Sequence, residues 1–184
     1  MSDQRLPSYN ATCGEYFTFK DFVECGDTFD RVDVENLPVQ RNTYSAIENL
    51  ATNVLDPIVD QFGEINLTYG FCSPELRRHI TQRISPPLDQ HAGYELNTKG
   101  NLICSRGGFA VDFVCKSHPT LTIAKWILES ISFDRLYYYG QSRPLHISYG
   151  PILHNQIVLM KRIENSNKLI PQKISQDKFL SLEK

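Results

Sequence analysis

An aspartate in the middle of an apolar run is the feature that most constrains this chain. Asp112 stands within Gly107-Gly108-Phe109-Ala110-Val111-Asp112-Phe113-Val114. An ionised carboxylate in such surroundings is costly unless it is paired, hydrogen-bonded or bound to a metal. His146 has a similar setting in Pro144-Leu145-His146-Ile147-Ser148, and His91 precedes both. One carboxylate and two imidazoles on apolar elements are the ligand set of an open zinc site, with three protein ligands and a free position for water. The same residues also read as a hydrogen-bonded core Asp and a satisfied core His. The residues alone leave both readings open.

A chain of 184 residues is long enough for one domain with a real core and an appended tail. With 41% apolar and 22% charged residues, its composition is that of an ordinary globular protein. A net charge of −2 argues against a strong electrostatic grip on nucleic acid, though not against a local basic patch. No apolar run reaches the roughly 18 residues a membrane span needs. Met1 to Ala11 is polar and carries no leader pattern, so a cytoplasmic protein without a membrane partner is expected. The five cysteines form no CxxC pair and read as reduced thiols, with Cys104 and Cys115 packing as small hydrophobes.

Residues 1–15 read as a loose start. Thr18 caps a short helix from Phe19 to Glu24, which Gly26 ends. Tyr44, Ile47, Leu50, Ala51, Val54, Leu55 and Ile58 recur at helical spacing behind a cap at Asn42 or Thr43, with Pro57 kinking the pattern or starting a new turn. Glu64 to Tyr69 alternates as a strand with Ile65, Leu67 and Tyr69 on one face. Ser73 caps a short helix that starts at Pro74 and runs to Ile80. Two prolines make Ser85 to His91 a loop.

Tyr94-Glu95-Leu96 and Leu102-Ile103-Cys104 suit a hairpin that extends the sheet, or else a polar lid around Asn97 to Asn101. Phe109 to Cys115, Leu136 to Tyr139, Leu145 to Tyr149 and Ile157 to Met160 are further strands, and Thr120 or Leu121 to Ser132 is a helix. Lys161 to Lys184 reads as a basic polar tail, so residues 151–184 stand apart as a C-terminal strand and tail. Strands and helices mix without a regular βαβ beat, which favours α+β: a small mixed or antiparallel sheet with flanking helices.

Taken in order, these segments resemble the D-alanyl-D-alanine carboxypeptidase and phage endolysin family of zinc peptidases, in its phage-type branch, which shares its fold with the Hedgehog signalling domain. The resemblance is carried by Tyr16 to Phe22, Asn36-Leu37-Pro38, Asn49 to Gly63, Thr68 to Leu76, Asp89-Gln90-His91, Gly108-Phe109-Ala110-Val111-Asp112, Phe133-Asp134-Arg135-Leu136 and Pro144 to Ser148. It covers roughly residues 16–150 and implies a peptidase-like domain holding Zn²⁺ on His91, Asp112 and His146.

Three departures accompany it. Ala92 to Gly107 is inserted between the first His and the Gly-x-Ala-x-Asp motif, whose third preceding position is Ser105. Cys72 stands where the family carries an Arg that grips a carboxylate or oxyanion. Tyr139 stands where an acidic base is expected, and a phenol of ordinary pKa near 10 accepts a proton poorly. Glu15 and Glu95 are the spare acids nearest the candidate ligands.

The resulting expectation is a divergent zinc-dependent hydrolase whose substrate has moved away from cell-wall peptide. The other reading is a non-catalytic module of a phage or defence system that binds a nucleotide or nucleic acid. Tyr137, Tyr139, Arg143 and Ser73 are the candidate substrate contacts, toward a small peptide-like or nucleotide-like ligand. The tyrosines also read as strand aromatics packing a core face. Arg77, Arg78, His79 and Arg83 form a basic cluster that suits either phosphate contact or a solvated face. His118 and His154 read as surface histidines.

Overall fold

Alternation along Phe109–Cys115 decides which side of the sheet holds the core. Phe109, Val111 and Phe113 are buried on one face, and Ala110 and Asp112 alternate with them on the other. The computed structural model describes residues 5–81, 85–163 and 168–183. Its strands are β1 (Ile65–Tyr69), β2 (Phe109–Cys115), β3 (Arg135–Tyr138), β4 (Leu145–Tyr149), β5 (Gln156–Arg162) and β6 (Leu169–Ile174). They form one mixed six-stranded sheet in the order β1-β2-β4-β3-β5-β6, antiparallel except between β3 and β5. The fold class is therefore α+β, as the mixed pattern of elements implied.

The helices are α1 (Phe19–Val23), α2 (Arg41–Leu50), α3 (Asp56–Phe62), α4 (Pro74–Arg77), α5 (Thr120–Ser130) and α6 (Gln176–Leu180). Phe22, Ile47, Leu50, Ile58, Ile127 and Phe179 pack with Val111, Leu136 and Ile147 of the sheet in one core. Pro57 starts a new turn, standing in the first turn of α3. Lacking an N–H for the carbonyl four residues back, it is preceded by a π turn, Ala51–Leu55, in which Asp56 N–H bonds the Ala51 carbonyl. Gly63 stops α3.

Several local expectations change. The cap of α2 is Gln40 rather than Asn42 or Thr43, and α4 stops at Arg77 rather than Ile80. The 85–91 segment is not without regular structure, since 3₁₀ turns form at Pro86–Leu88 and Gln90–Ala92. These need only short i,i+3 bonds, which proline tolerates at a turn's start. The hairpin forms as a single Leu96–Leu102 bridge, closed by Asn97 N–H to the Asn101 carbonyl and Ile103 N–H to the Glu95 carbonyl. It stands outside the six-stranded sheet and does not extend it.

The two ends of the chain are more ordered than their composition suggests. Cys13 is in the core, and Thr12 bridges Thr18. Beyond residue 160 the tail supplies β6, which pairs with β5 from Ile157–Ile174 through Arg162–Leu169. It also supplies α6, capped by the Ser175 hydroxyl, which places Phe179 fully inside the core against Tyr138. Lys125 Nζ donates to the carbonyls of Leu180 and Leu182 and ties the end of α6 to α5. Among the described residues, no helix is long and apolar enough to cross a membrane.

If the C-terminal segment belongs to the core, Phe179→Ala should cost about 3–5 kcal/mol, the range for emptying a buried aromatic site. Urea unfolding checks this. A loss under about 1 kcal/mol is what a detachable tail would give.

Candidate metal centre

The β2–β4 register sets Asp112 directly opposite His146. Both side chains leave the sheet on the face away from the helical core, alternating with the buried Val111, Phe113, Leu145 and Ile147. His146 Nδ1 lies 2.7 Å from Asp112 Oδ1. A strand pair thus supplies two donors with little freedom to move apart.

The third donor arrives from the turn at the start of the inserted region. The Gln90–Ala92 turn is fixed at each of its first residues. The Asp89 carboxylate accepts from His91 N–H at 3.3 Å and pairs with Arg77 at 3.7 Å. Gln90 Nε2 donates to the Gly107 carbonyl and to Asp134 Oδ2, both at 2.9 Å. The His91 carbonyl in turn accepts from Cys72 N–H at 3.1 Å. His91 is 1% exposed and reaches the centre despite the insertion, with Nε2 3.3 Å from His146 Nδ1 and 3.6 Å from Asp112 Oδ1.

His91 Nδ1–H donates to the Gly70 carbonyl at 2.9 Å, which leaves the Nε2 lone pair facing the other two donors. Gly70 itself packs tightly against the end of α1 because it has no Cβ. A methyl there would stand 2.3 Å from the Phe22 carbonyl oxygen. Tyr69 lies against the His91 ring with centroids 4.1 Å apart, and Tyr137 meets the His146 ring edge-on at 5.0 Å. Tyr69 is on this face because β1 changes register between Leu67, opposite Phe113, and Tyr69, opposite Asp112. The bulge puts Leu67 and Tyr69 on different faces, which corrects the single-face expectation for β1.

The donor atoms of His91, Asp112 and His146 all lie within 4.8 Å of one another, so the group could hold a metal ion. Tetrahedral ligands at about 2.0–2.1 Å from a metal are themselves about 3.3 Å apart. The separations of 3.3 and 3.6 Å meet that spacing, and the 2.7 Å contact is the hydrogen bond a metal would displace. Two imidazoles and one carboxylate suit a borderline divalent ion better than a hard one.

Comparison with protein-family models, with curated proteins and with solved structures finds no match. The chemistry of the centre therefore rests on its own geometry.

Burial alone would push the Asp112 carboxyl up, but the charge and hydrogen bonds of His146 and His91 outweigh it and hold the group well below the usual carboxylate range. Burial alone would push His91 down. The hydrogen bond and charge of Asp112, helped by Asp89 and the Gly70 carbonyl, leave it above its ordinary value. Asp112 is thus ionised at neutral pH and ready to ligate.

The remaining sequence candidates separate. Tyr137 and Tyr139 line a cleft beside His146, while Tyr138 alternates into the core. Burial, with the nearby Asp112 charge, pushes the Tyr139 phenol well above its ordinary value, so it holds its proton at neutral pH. The Cys72 thiol is pushed up to about 11 by burial, against the opposing Tyr69 hydrogen bond. It is neutral at pH 7 and offers no cation. Ser73 Oγ caps α4 by accepting from Leu76 N–H.

Arg143 is exposed on the β3–β4 turn and is not among the cleft residues. Glu95 is committed elsewhere: it accepts from Val39 N–H, Gln40 N–H and the Thr43 hydroxyl at the start of α2. Glu15 is exposed and Ser105 is exposed. Arg83 lies outside the described residues. His154 does more than read as a surface residue, because its Nδ1 pairs with the buried Asp134 at 2.6 Å. Asp134 thereby ties His154, Arg135 and Gln90 together behind the His91 turn. No periodicity could have found this, since its members lie on three separate segments.

The two shifts give metal-free protein a defined pH response. Asp112, lowered on folding, contributes stability above its unfolded pKa near 3.9, and this is lost as pH falls through the folded value. His91, raised on folding, contributes stability below about pH 6.5, and this is lost as pH rises through its folded value. Melting temperature measured in chelator should therefore fall on both sides, and Asp112→Asn should flatten both limbs. An Asp112→Asn profile with the same two limbs would show that other groups cause them.

Proposed function

We propose that the protein is a divergent zinc-dependent hydrolase with a peptidase-like, Hedgehog-related arrangement of its sheet. His91 Nε2, Asp112 and His146 Nδ1 would be the metal ligands. The observation that carries this reading is the convergence of three differently positioned donors, one of them pinned in its ligating tautomer by Gly70. Bound there, zinc would supply Lewis acidity and bring the pKa of a water toward neutrality. The chain's own residues do the rest. The Gly70 carbonyl and the Asp89 carboxylate orient His91, Tyr69 covers one ring face, and Tyr137 packs against the other imidazole. Cavities of about 450 Å³, bounded by Asp112 and Tyr69, and about 420 Å³, bounded by His146, flank the centre. They leave room for a substrate on either side.

The second reading, a non-catalytic module that binds a nucleotide or nucleic acid, is favoured by one observation. Neither Tyr139 nor Cys72 is in a protonation state suited to a base or an anion grip, and the Asp89 carboxylate is already paired with Arg77. The hydrolase reading therefore implies slow chemistry on the family's default substrate. D-Alanyl-D-alanine peptides should be cleaved at well below about 1 per second, a modest rate for an enzyme. Turnover above that would restore the cell-wall substrate.

Purified wild-type protein should carry stoichiometric zinc. His146→Ala should carry none and melt at a lower temperature, because ligand binding stabilises the folded state. Elemental analysis decides between the outcomes. Full zinc in the folded His146→Ala protein would remove His146 from the ligand set.

A further inference from the structure

The register of the sheet places one residue of every strand in a single row. Tyr69 faces Asp112, Asp112 faces His146, His146 faces Tyr137, Tyr137 faces Val158 and Val158 faces Lys173. Cross-strand partners share a face, so the metal ligands and Lys173 of β6 lie on one surface. Beyond His146 this surface is hollowed into a cleft of about 420 Å³, within the size range of small-molecule sites. The C-terminal hairpin of β5 and β6 supplies its far half.

The cleft's charges are unbalanced. Its lining includes Arg106, Arg135, Lys173 and the carboxylate of Asp89. Asp89 is paired with Arg77, and Arg135 with Asp134. Among the described residues, no carboxylate lies within ion-pair distance of Arg106 or Lys173, and Arg106 is braced only by the Leu88 carbonyl. Two uncompensated cations call for a dianion with several acceptor oxygens. Val158, Met160, Pro171 and Tyr137 provide apolar surface next to them.

We propose that this cleft binds a small phosphomonoester with an apolar or aromatic body, its phosphate held by Arg106 and Lys173. A phosphomonoester carries about −1.5 to −2 charges at pH 7, which matches two free cations, whereas a carboxylate brings one. As a substrate class for the metal centre this rests on the hydrolase reading; as a binding site it does not. Metal-free protein therefore tests it separately.

The probes are adenosine 5′-monophosphate, adenosine, inorganic phosphate and an N-acyl-D-alanyl-D-alanine, titrated calorimetrically into chelator-treated protein. The nucleotide should bind more tightly than any of the others, and less tightly as salt rises. Lys173→Ala and Arg106→Ala, on exposed or half-exposed positions, should each weaken it about tenfold. Equal affinity for the acyl dipeptide would overturn the dianion assignment, and equal affinity for adenosine would overturn the phosphate contact. Equal affinity for free phosphate would overturn the role of the apolar wall. Absence of nucleotide binding to folded wild-type protein would overturn the proposal while leaving the metal centre standing.

Discussion

The contact between Asp112 and His146 is the interaction on which the rest of the structure depends. A carboxylate in the second strand of the sheet is tolerable only because a fixed imidazole faces it across one hydrogen-bonded strand pair. Strand pairing makes that partnership obligatory. A one-residue slip between β2 and β4 would send Asp112 into the helical core, so the polar pair and the apolar alternation enforce the same register. A third donor then turns a satisfied pair into a centre with three converging ligands, and its arrival needs much more machinery than the pair itself.

That machinery explains features that look unrelated along the chain. Gly108 has a positive φ of 73°, and a Cβ there would meet the Tyr149 carbonyl at 2.2 Å, so the insertion can turn tightly into β2 only through glycine. Gln90 ties that turn to the start of β3, bonding the Gly107 carbonyl and the buried Asp134. The β1 bulge brings Tyr69 over His91, and the adjoining Gly70 carbonyl selects its tautomer. His91 is thus held by backbone and by buried polar groups rather than by a regular element. The inserted hairpin follows this anchor, with its turn at Asn97 to Asn101 exposed.

Much of this was legible in the residues, for identifiable reasons. The alternation of Phe109, Val111 and Phe113 gave the bounds of β2, and Leu145 and Ile147 gave those of β4, because half-buried strands leave a period of two. The capping residues Thr18 and Ser73 located α1 and the start of α4. Asp112, His91 and His146 stood out because a polar group on an apolar element demands a reason. The bulge in β1 was invisible, since a single extra residue leaves no mark on composition. Pro171 concealed β6, although an edge strand accepts proline where its N–H side is unpaired. The cations of the cleft were missed because Arg106, Arg135 and Lys173 meet only through tertiary register, while the more conspicuous Arg143 lies outside the cleft.

The central claim concerns three particular atoms, and zinc-edge anomalous diffraction from crystals of the metal-loaded protein tests it directly. The expected peak lies about 2.0–2.2 Å from His91 Nε2, His146 Nδ1 and an Asp112 carboxylate oxygen, with a fourth position facing a cavity. His91 Nδ1 should remain on the Gly70 carbonyl. A zinc peak elsewhere on the chain, or a triad that stays hydrogen-bonded to itself in saturating zinc, would contradict the assignment of a metal centre.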